Sequence, residues 1–510
     1  MKSTDNNIPE ISFSEDRYYS EYKRIRNKFR KYNSLSVLSK CIEYLHHPTK
    51  DKLEDLQKHP WFVMLLMKWV LIDERFDTQR KKQIDNKTTY DLIQSVFDLS
   101  IVARLPNDFD HHTLFMRGMA YQQFMYQEGF SFSNFARQQL LFSDLPSNNY
   151  IQRTFTGLIG LNTGRFLELC LALLTRFIST NEREISHKWF STLEHEYSYD
   201  EVSKCLNALS LPVLSIRKKL RGNDSGKRMS EEFYEQSPFV RFPLIRNGND
   251  CICIDYNILF RCLEHFVYDL LREADAQGFM LKYGKLFEQY VGRIINHTGC
   301  FCISEKDIKK HSRIPSKVVD YIIVEENANI FIDAKAVEMA YKGKASHSAK
   351  IIRDKVKVSV LKAIEQALEV LNQIHTKNLD HDQLVPKEHN YLIVVTYKEL
   401  YLGRGMSFYN NVSKDKIEQL YSNYNESGKI PPENMFFVTI QEFELLMEYV
   451  RSNKTKISEC FERVKKDDAD PHKSKFVFTQ HLWEWKASDP PSFLMDKANE
   501  TFSKFKTLLS

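Results

Sequence analysis

Apolar and polar residues follow two rhythms along the chain, and the change of rhythm divides it. From about Asp16 to Asn207, Leu, Phe and Tyr recur three and four positions apart among Lys and Glu, which predicts successive amphipathic helices. Breaks fall near His47-Pro48, His59-Pro60, Pro106-Asn107, Pro146-Ser147 and Asn162-Thr163-Gly164. This half reads as all-helical, and no fixed-period self-similarity makes it a regular solenoid. Residues 217–228 are polar, Gly-containing and strongly basic, which predicts an exposed loop or linker able to touch phosphates.

Beyond that stretch the period shortens to two. Phe239–Ile245 and Asp250–Ile254 predict strands joined through Arg246-Asn247-Gly248-Asn249, a hairpin signal because Asn-Gly accepts positive φ. A helix from about Ile258 to Ala276 follows. From Leu281 the predicted order is a helix through Asn296, a strand near Cys300–Ser304, strands at Val318–Val324 and Asn329–Ala336, a helix from about Lys357 to Ile374, and a strand at Tyr391–Thr396. A further strand and helix span Met435–Val450, and the Lys-rich remainder to Ser510 carries too little pattern to assign. The expected class is α+β or α/β: an all-helical region over 1–235, a hairpin and connecting helix over 236–276, a mixed sheet flanked by helices over 277–450, and an extension over 451–510.

Composition narrows the setting. With 510 residues, 42% apolar and 13% aromatic, the chain can bury the cores of two or more domains. The longest apolar run, Trp61–Ile72, is interrupted by Lys68 and too short to span a bilayer, and the polar N-terminus lacks a signal-peptide pattern. A cytoplasmic protein with no membrane partner is expected. Nine cysteines without framework spacing point to a reducing compartment. Cys251 with Cys253, and Cys300 with Cys302, lack the usual zinc-ligand spacing and read as buried strand cysteines. A net charge of only +5 means that polyanion binding must rest on local clusters.

The segment Val319 to Lys335 carries the chemistry. Two β-rich runs flank a short polar turn and should pair as an antiparallel hairpin. A turn centred on Glu326 and Asn327 places Asp320 across from Asp333, with Cβ atoms about 5 Å apart. Opposed like charges destabilise a sheet, and a divalent cation coordinated by both carboxylates is the simplest compensation. Asp333 and Lys335 lie two apart and project from one face, which puts an ammonium beside that cation. Glu288 offers a third carboxylate on the preceding helix. Gly284 and Gly292, four residues before and after it, each cost that helix about 1 kcal/mol relative to Ala, so both are expected where another element approaches closely.

The order helix-Glu288, strand-Asp320, strand-Asp333-Ala334-Lys335 resembles the PD-(D/E)xK nuclease superfamily, whose signature is an Asp followed after a variable gap by (Asp/Glu)-x-Lys. Val319 stands where the name-giving Pro would be. The resemblance implies a restriction-endonuclease-like core in which Asp320 and Asp333 ligate Mg²⁺, with Mn²⁺ able to substitute. It also implies that Glu288 completes the site, that the Ala334 carbonyl contributes, and that Lys335 acts on the attacking water. Lys362 and Gln366 on the next helix match the polar motif that many members place after the signature. Lys342, Lys344, Lys350, Arg353, Lys355 and Lys357, together with a second basic segment from Lys306 to Lys317, flank the carboxylates as phosphate contacts would. His347 in the same stretch is available as an acid or phosphate donor.

The expected function is DNA phosphodiester hydrolysis. DNA is favoured over RNA by the resemblance alone, which also implies a bacterial anti-phage defence or restriction effector. The helical N-terminal region would recognise substrate, regulate cutting, or bind a partner or a second copy. Two other classes stay open on the residues: a non-catalytic nucleic-acid-binding protein on a nuclease-like fold, and a helical scaffold whose function survives Asp333→Ala.

Overall fold

The computed structural model describes residues 15–80, 82–103, 112–180, 182–314, 317–344 and 346–509, without the side chains of 112, 341, 342 and 505–509. The fold is α+β, with many helices around two mixed sheets.

The sheet that carries the candidate chemistry has five strands: β5 (Cys302–Ser304), β6 (Tyr321–Val324), β7 (Ala328–Lys335), β8 (His389–Thr396) and β9 (Met435–Thr439), hydrogen-bonded in that order. β5, β6 and β7 run antiparallel, whereas β7, β8 and β9 are parallel. The parallel strands need crossovers, and the helices Lys362–His375 and Gly405–Phe408 lie on those connections. Alternation along β7 sends Ile330 and Ile332 to one core and Phe331 to another. The first core contains Phe287, Val291 and Ile294 of the long helix Ala276–Thr298; the second contains Ile364, Leu368 and Leu371. A sheet covered on both faces explains the nearly continuous apolar runs of β7 and β8.

The helical half departs from expectation in two ways. Two short strands, β1 (Glu184–Ser186) and β2 (Ser210–Leu211), lie within it. They join the hairpin of β3 (Leu244–Asn247) and β4 (Asp250–Cys253) in a sheet ordered β1-β4-β3-β2. Gly248 takes φ 62° at the hairpin turn, as Asn-Gly requires. Residues 217–222 are helix rather than linker, while 223–228 form the mostly exposed loop after it. The helix Val213–Gly222 buries Ile216 and Leu220, Arg217 donates to the Asp73 carbonyl, and Arg228 pairs with Asp224.

The apolar run near Trp61 forms the helix Pro60–Ile72, buried almost all round, as a helix without a polar face must be. Lys68, its one charge, pairs with Glu232 and Glu235. No single helix among the described residues is long and apolar enough to cross a membrane. Cys251 and Cys253 are buried in β4, while Cys300 and Cys302 are half-buried at β5.

A core containing Phe135, Phe166, Phe287, Ile332 and Leu482 is continuous from the helical half through the five-stranded sheet to the last helices. Within it Arg137 donates from Nε and Nη2 to Glu444, each at 2.6 Å, and Tyr290 donates to the same carboxylate at 2.6 Å. The C-terminal residues, unassigned from pattern, form the helices Ile457–Ala469, Thr479–Glu484 and Ser492–Leu509.

Candidate metal centre

The hairpin register decides the site. Tyr321 pairs with Ile332, Ile322 with Phe331, Ile323 with Ile330 and Val324 with Asn329. Continued one step past the strand end, that register sets Asp320 opposite Asp333, as the turn at Glu326 and Asn327 predicts. The Glu325 amide donates to the Ala328 carbonyl at 2.9 Å and closes the turn.

Asp333 is fully buried, and Lys335 is its counter-charge: Nζ lies 2.8 Å from Oδ1 and 2.7 Å from Oδ2. Nζ also donates to Gln366 Oε1 at 3.2 Å. Gln366 in turn donates to the Val318 carbonyl at 2.5 Å, so a single amide ties the helix Lys362–His375 to both limbs of the hairpin. Lys362 is half-buried one turn earlier. Ala334 contributes through its amide: the N–H donates to Asp320 Oδ2 at 2.7 Å.

Glu288 approaches from the helix Ala276–Thr298, and Tyr321 fixes the approach by donating its hydroxyl to the Glu288 carbonyl at 3.1 Å. Gly292 makes room there, because a Cβ would collide with the Tyr321 hydroxyl and come within 2.7 Å of its Cζ. Gly284 differs from expectation: an added Cβ would meet nothing within 4 Å, so the helix face before Glu288 is open rather than packed.

The residue that pattern reading missed is Glu305. It opens the helix Glu305–His311 directly after β5, and its amide donates to the Asp320 backbone carbonyl at 2.7 Å. Carboxylate oxygens of Glu288, Glu305 and Asp320 lie within 4.8 Å of one another. Asp333 sits a step deeper, held by Lys335. The electrostatics are those of too many acids in one place. Burial, then Asp333, pushes the Asp320 carboxyl up to about 8 against the opposing Ala334 amide. Burial, then Glu305, raises Glu288, with Lys285 and Lys309 partly offsetting. Such a set of hard oxygen donors fits Mg²⁺ or Mn²⁺.

The basic residues sort unevenly. Lys350, Lys355 and Lys357 are exposed on and just past the helix Ala349–Val356, and Lys306, Lys309, Lys310 and Arg313 are exposed on the other flank. Arg353 is half-buried and reaches the Val412 carbonyl at 3.4 Å. Lys344 is turned inward instead: Nζ donates to Gln236 at 2.9 Å and lies over the Tyr121 ring, so it joins the two halves. The side chain of Lys342 lies outside the described residues. His347 packs its ring against Tyr234 and Gly118 in the helical half.

The geometry thus brings together Glu288, Asp320, Asp333, Ala334, Lys335 and Gln366, adds Glu305, and rims them with Lys285 and Lys309. Comparison with known proteins yields no family model, no curated protein and no solved structure that matches the chain, so the reading of this centre stands on its own geometry.

Proposed function

We propose that this chain is a metal-dependent nuclease with a restriction-endonuclease-like core, hydrolysing phosphodiester bonds of DNA. The observation that carries the reading is the convergence of Glu288, Glu305 and Asp320 beside a buried Asp333–Lys335 pair, a cluster in which Asp333 helps raise Asp320 and Glu305 helps raise Glu288, and which a divalent cation would relieve. Glu288, Glu305 and Asp320 would hold Mg²⁺ or Mn²⁺, with Asp333 behind them. A bound ion would supply Lewis-acid polarisation of the scissile phosphate and lower the pKa of the attacking water.

The chain's own residues do the rest. Asp333 and Gln366 hold the Lys335 ammonium in one place, where it stabilises anionic charge developing on phosphate oxygens. The Ala334 amide fixes one Asp320 oxygen and leaves the other to face the cluster. Lys285, Lys309, Lys350, Lys355 and Lys357 supply sequence-independent attraction to a polyanion. The open helix face at Gly284 leaves room for a backbone to approach Glu288. A cytoplasmic defence effector, acting alone or as a homo-oligomer, belongs to this reading through the resemblance.

The test is incubation of linear, circular and single-stranded DNA, with RNA alongside, with wild-type, Asp333→Ala and Lys335→Ala proteins in Mg²⁺, Mn²⁺ or EDTA. Metal-dependent cleavage by wild type only is expected, with DNA cut in preference to RNA. Equal cleavage by all three proteins overturns the reading.

A further inference from the structure

A second cluster lies in the last helices, away from the sheet's carboxylates. The helix Ile457–Ala469 ends on Asp467 and Asp468, and the helix Thr479–Glu484 lays His481 against them. His481 is only 2% exposed, yet its Nδ1 has no hydrogen-bond partner and faces Asp467 Oδ2 at 3.6 Å. Its Nε2 faces Asp468 Oδ1 at 3.8 Å, and that buried oxygen also lacks a hydrogen-bond partner. Leaving such groups buried and unbonded is costly, so the arrangement calls for an occupant. A ring nitrogen of His481 and carboxylate oxygens of Asp467 and Glu484 lie within 4.8 Å of one another. Two ligands each about 2.0–2.1 Å from one tetrahedral ion stand roughly 3.3–3.4 Å apart. The Nδ1–Oδ2 separation suits a shared ion better than a hydrogen bond, whose usual limit is about 3.2 Å.

The geometry points to a site for a zinc-class divalent ion formed by Asp467, Nδ1 of His481 and Glu484, with the Asp468 carboxylate facing Nε2 from the other side of the ring. One imidazole with two carboxylates suits Zn²⁺ and disfavours Mg²⁺ and Ca²⁺, which prefer all-oxygen sets. A small closing movement on ion binding would bring Asp468 within hydrogen-bond reach of Nε2, where a carboxylate orients a ligating histidine. Arg404 steadies Asp468, donating to its backbone carbonyl at 2.8 Å with the guanidinium 3.5 Å from its carboxylate. Lys475, paired with Glu484, is the positive charge that the ion replaces. Three protein ligands leave a coordination position open, and a cavity of about 490 Å³, lined in part by Phe436 and Phe478, borders His481 and Asp468. The ion would clamp the two helices together against the edge of β9, and this holds whether or not the nuclease reading does.

Full-length wild-type and Asp320→Asn proteins, dialysed against Zn²⁺ in excess Mg²⁺, should each retain one Zn²⁺ per chain. Asp468→Asn should weaken that binding about 10–100-fold, Glu484→Gln should weaken it at least about tenfold, and His481→Gln should abolish it. The Glu484 side chain is half exposed, so its substitution leaves the packing intact and separates a lost ligand from a lost fold. Co²⁺ in place of Zn²⁺ should give a visible absorption spectrum that His481→Gln removes. Equal Zn²⁺ retention by wild type, His481→Gln and Glu484→Gln, or no retention by wild type, overturns the site.

Discussion

Two clusters of charge in this protein are built on opposite principles. Between the helical half and the sheet, Asp269 and Glu338 meet Lys398 and Arg272, with Lys398 bridging both acids. Burial pushes the Glu338 carboxyl up, but Lys398, Lys344 and Arg272 outweigh it and hold it at about 2. Burial lowers the Lys398 ammonium, and Asp269 and Glu338 more than reverse that, although Asp269 itself stays raised because burial and Glu338 outweigh Lys398. At the hairpin, by contrast, Lys335 serves Asp333 and Lys309 pairs with Glu305, while Glu288 and Asp320 have no ion-pair partner among the described residues and both are raised. Charges matched within the chain hold the two halves together. Charges left unmatched mark where something from outside completes the balance.

The largest way to break this contrast is on the matched side. Arg137→Met leaves the Glu444 carboxylate buried without its cation and should cost about 3–5 kcal/mol of unfolding free energy by denaturant titration. Cleavage per folded molecule should be unchanged. Asp320→Asn should do the reverse: cleavage falls by at least about a hundredfold, while the metal-free protein holds or gains stability because a repelling charge is gone.

The pH dependence sharpens the same contrast. A carboxyl raised in the fold contributes stability that is full below its unfolded pKa of about 3.9. That contribution erodes as pH climbs and is gone once pH passes the folded value of about 8. Metal-free protein should therefore lose stability from about pH 4 to pH 8, and Asp320→Asn should flatten that slope in thermal melts. Glu338, held low, acts oppositely: its contribution is present above its unfolded pKa and is lost as pH falls toward about 2.

The smallest effects separate the two glycines. Gly292→Ala must displace Tyr321 and should cost about 1–3 kcal/mol. Gly284→Ala meets open space and should stabilise the helix by up to about 1 kcal/mol. A cleavage defect in Gly284→Ala without a loss of stability would mark that face as the substrate's path.

Much of this centre was legible because its determinants are local. Period-two alternation and a two-residue turn set the register, which brings Asp320 to Asp333 from seventeen consecutive residues. The spacing of Gly284, Glu288 and Gly292 on one helix face pointed to the third acid, although only Gly292 is packed. What was not legible depends on long-range pairing. β1 and β2 are three and two residues long and exist only because β4 and β3 supply partners. Glu305 looks like an ordinary helix-opening acid until β5 pairs with β6 and brings it beside Asp320. Lys344 reads as surface charge in its basic stretch, and only the docked helical half reveals that it lies over the Tyr121 ring.

The central claim is that the unmatched acids await a hard divalent cation, and thermal unfolding of wild-type, Asp320→Asn and Asp269→Asn proteins across a Mg²⁺ titration tests it most directly. Wild type and Asp269→Asn should gain about 2.7 kcal/mol at a hundred times the dissociation constant, and Asp320→Asn should gain nothing. Equal stabilisation of all three proteins, or none of any, would contradict the account.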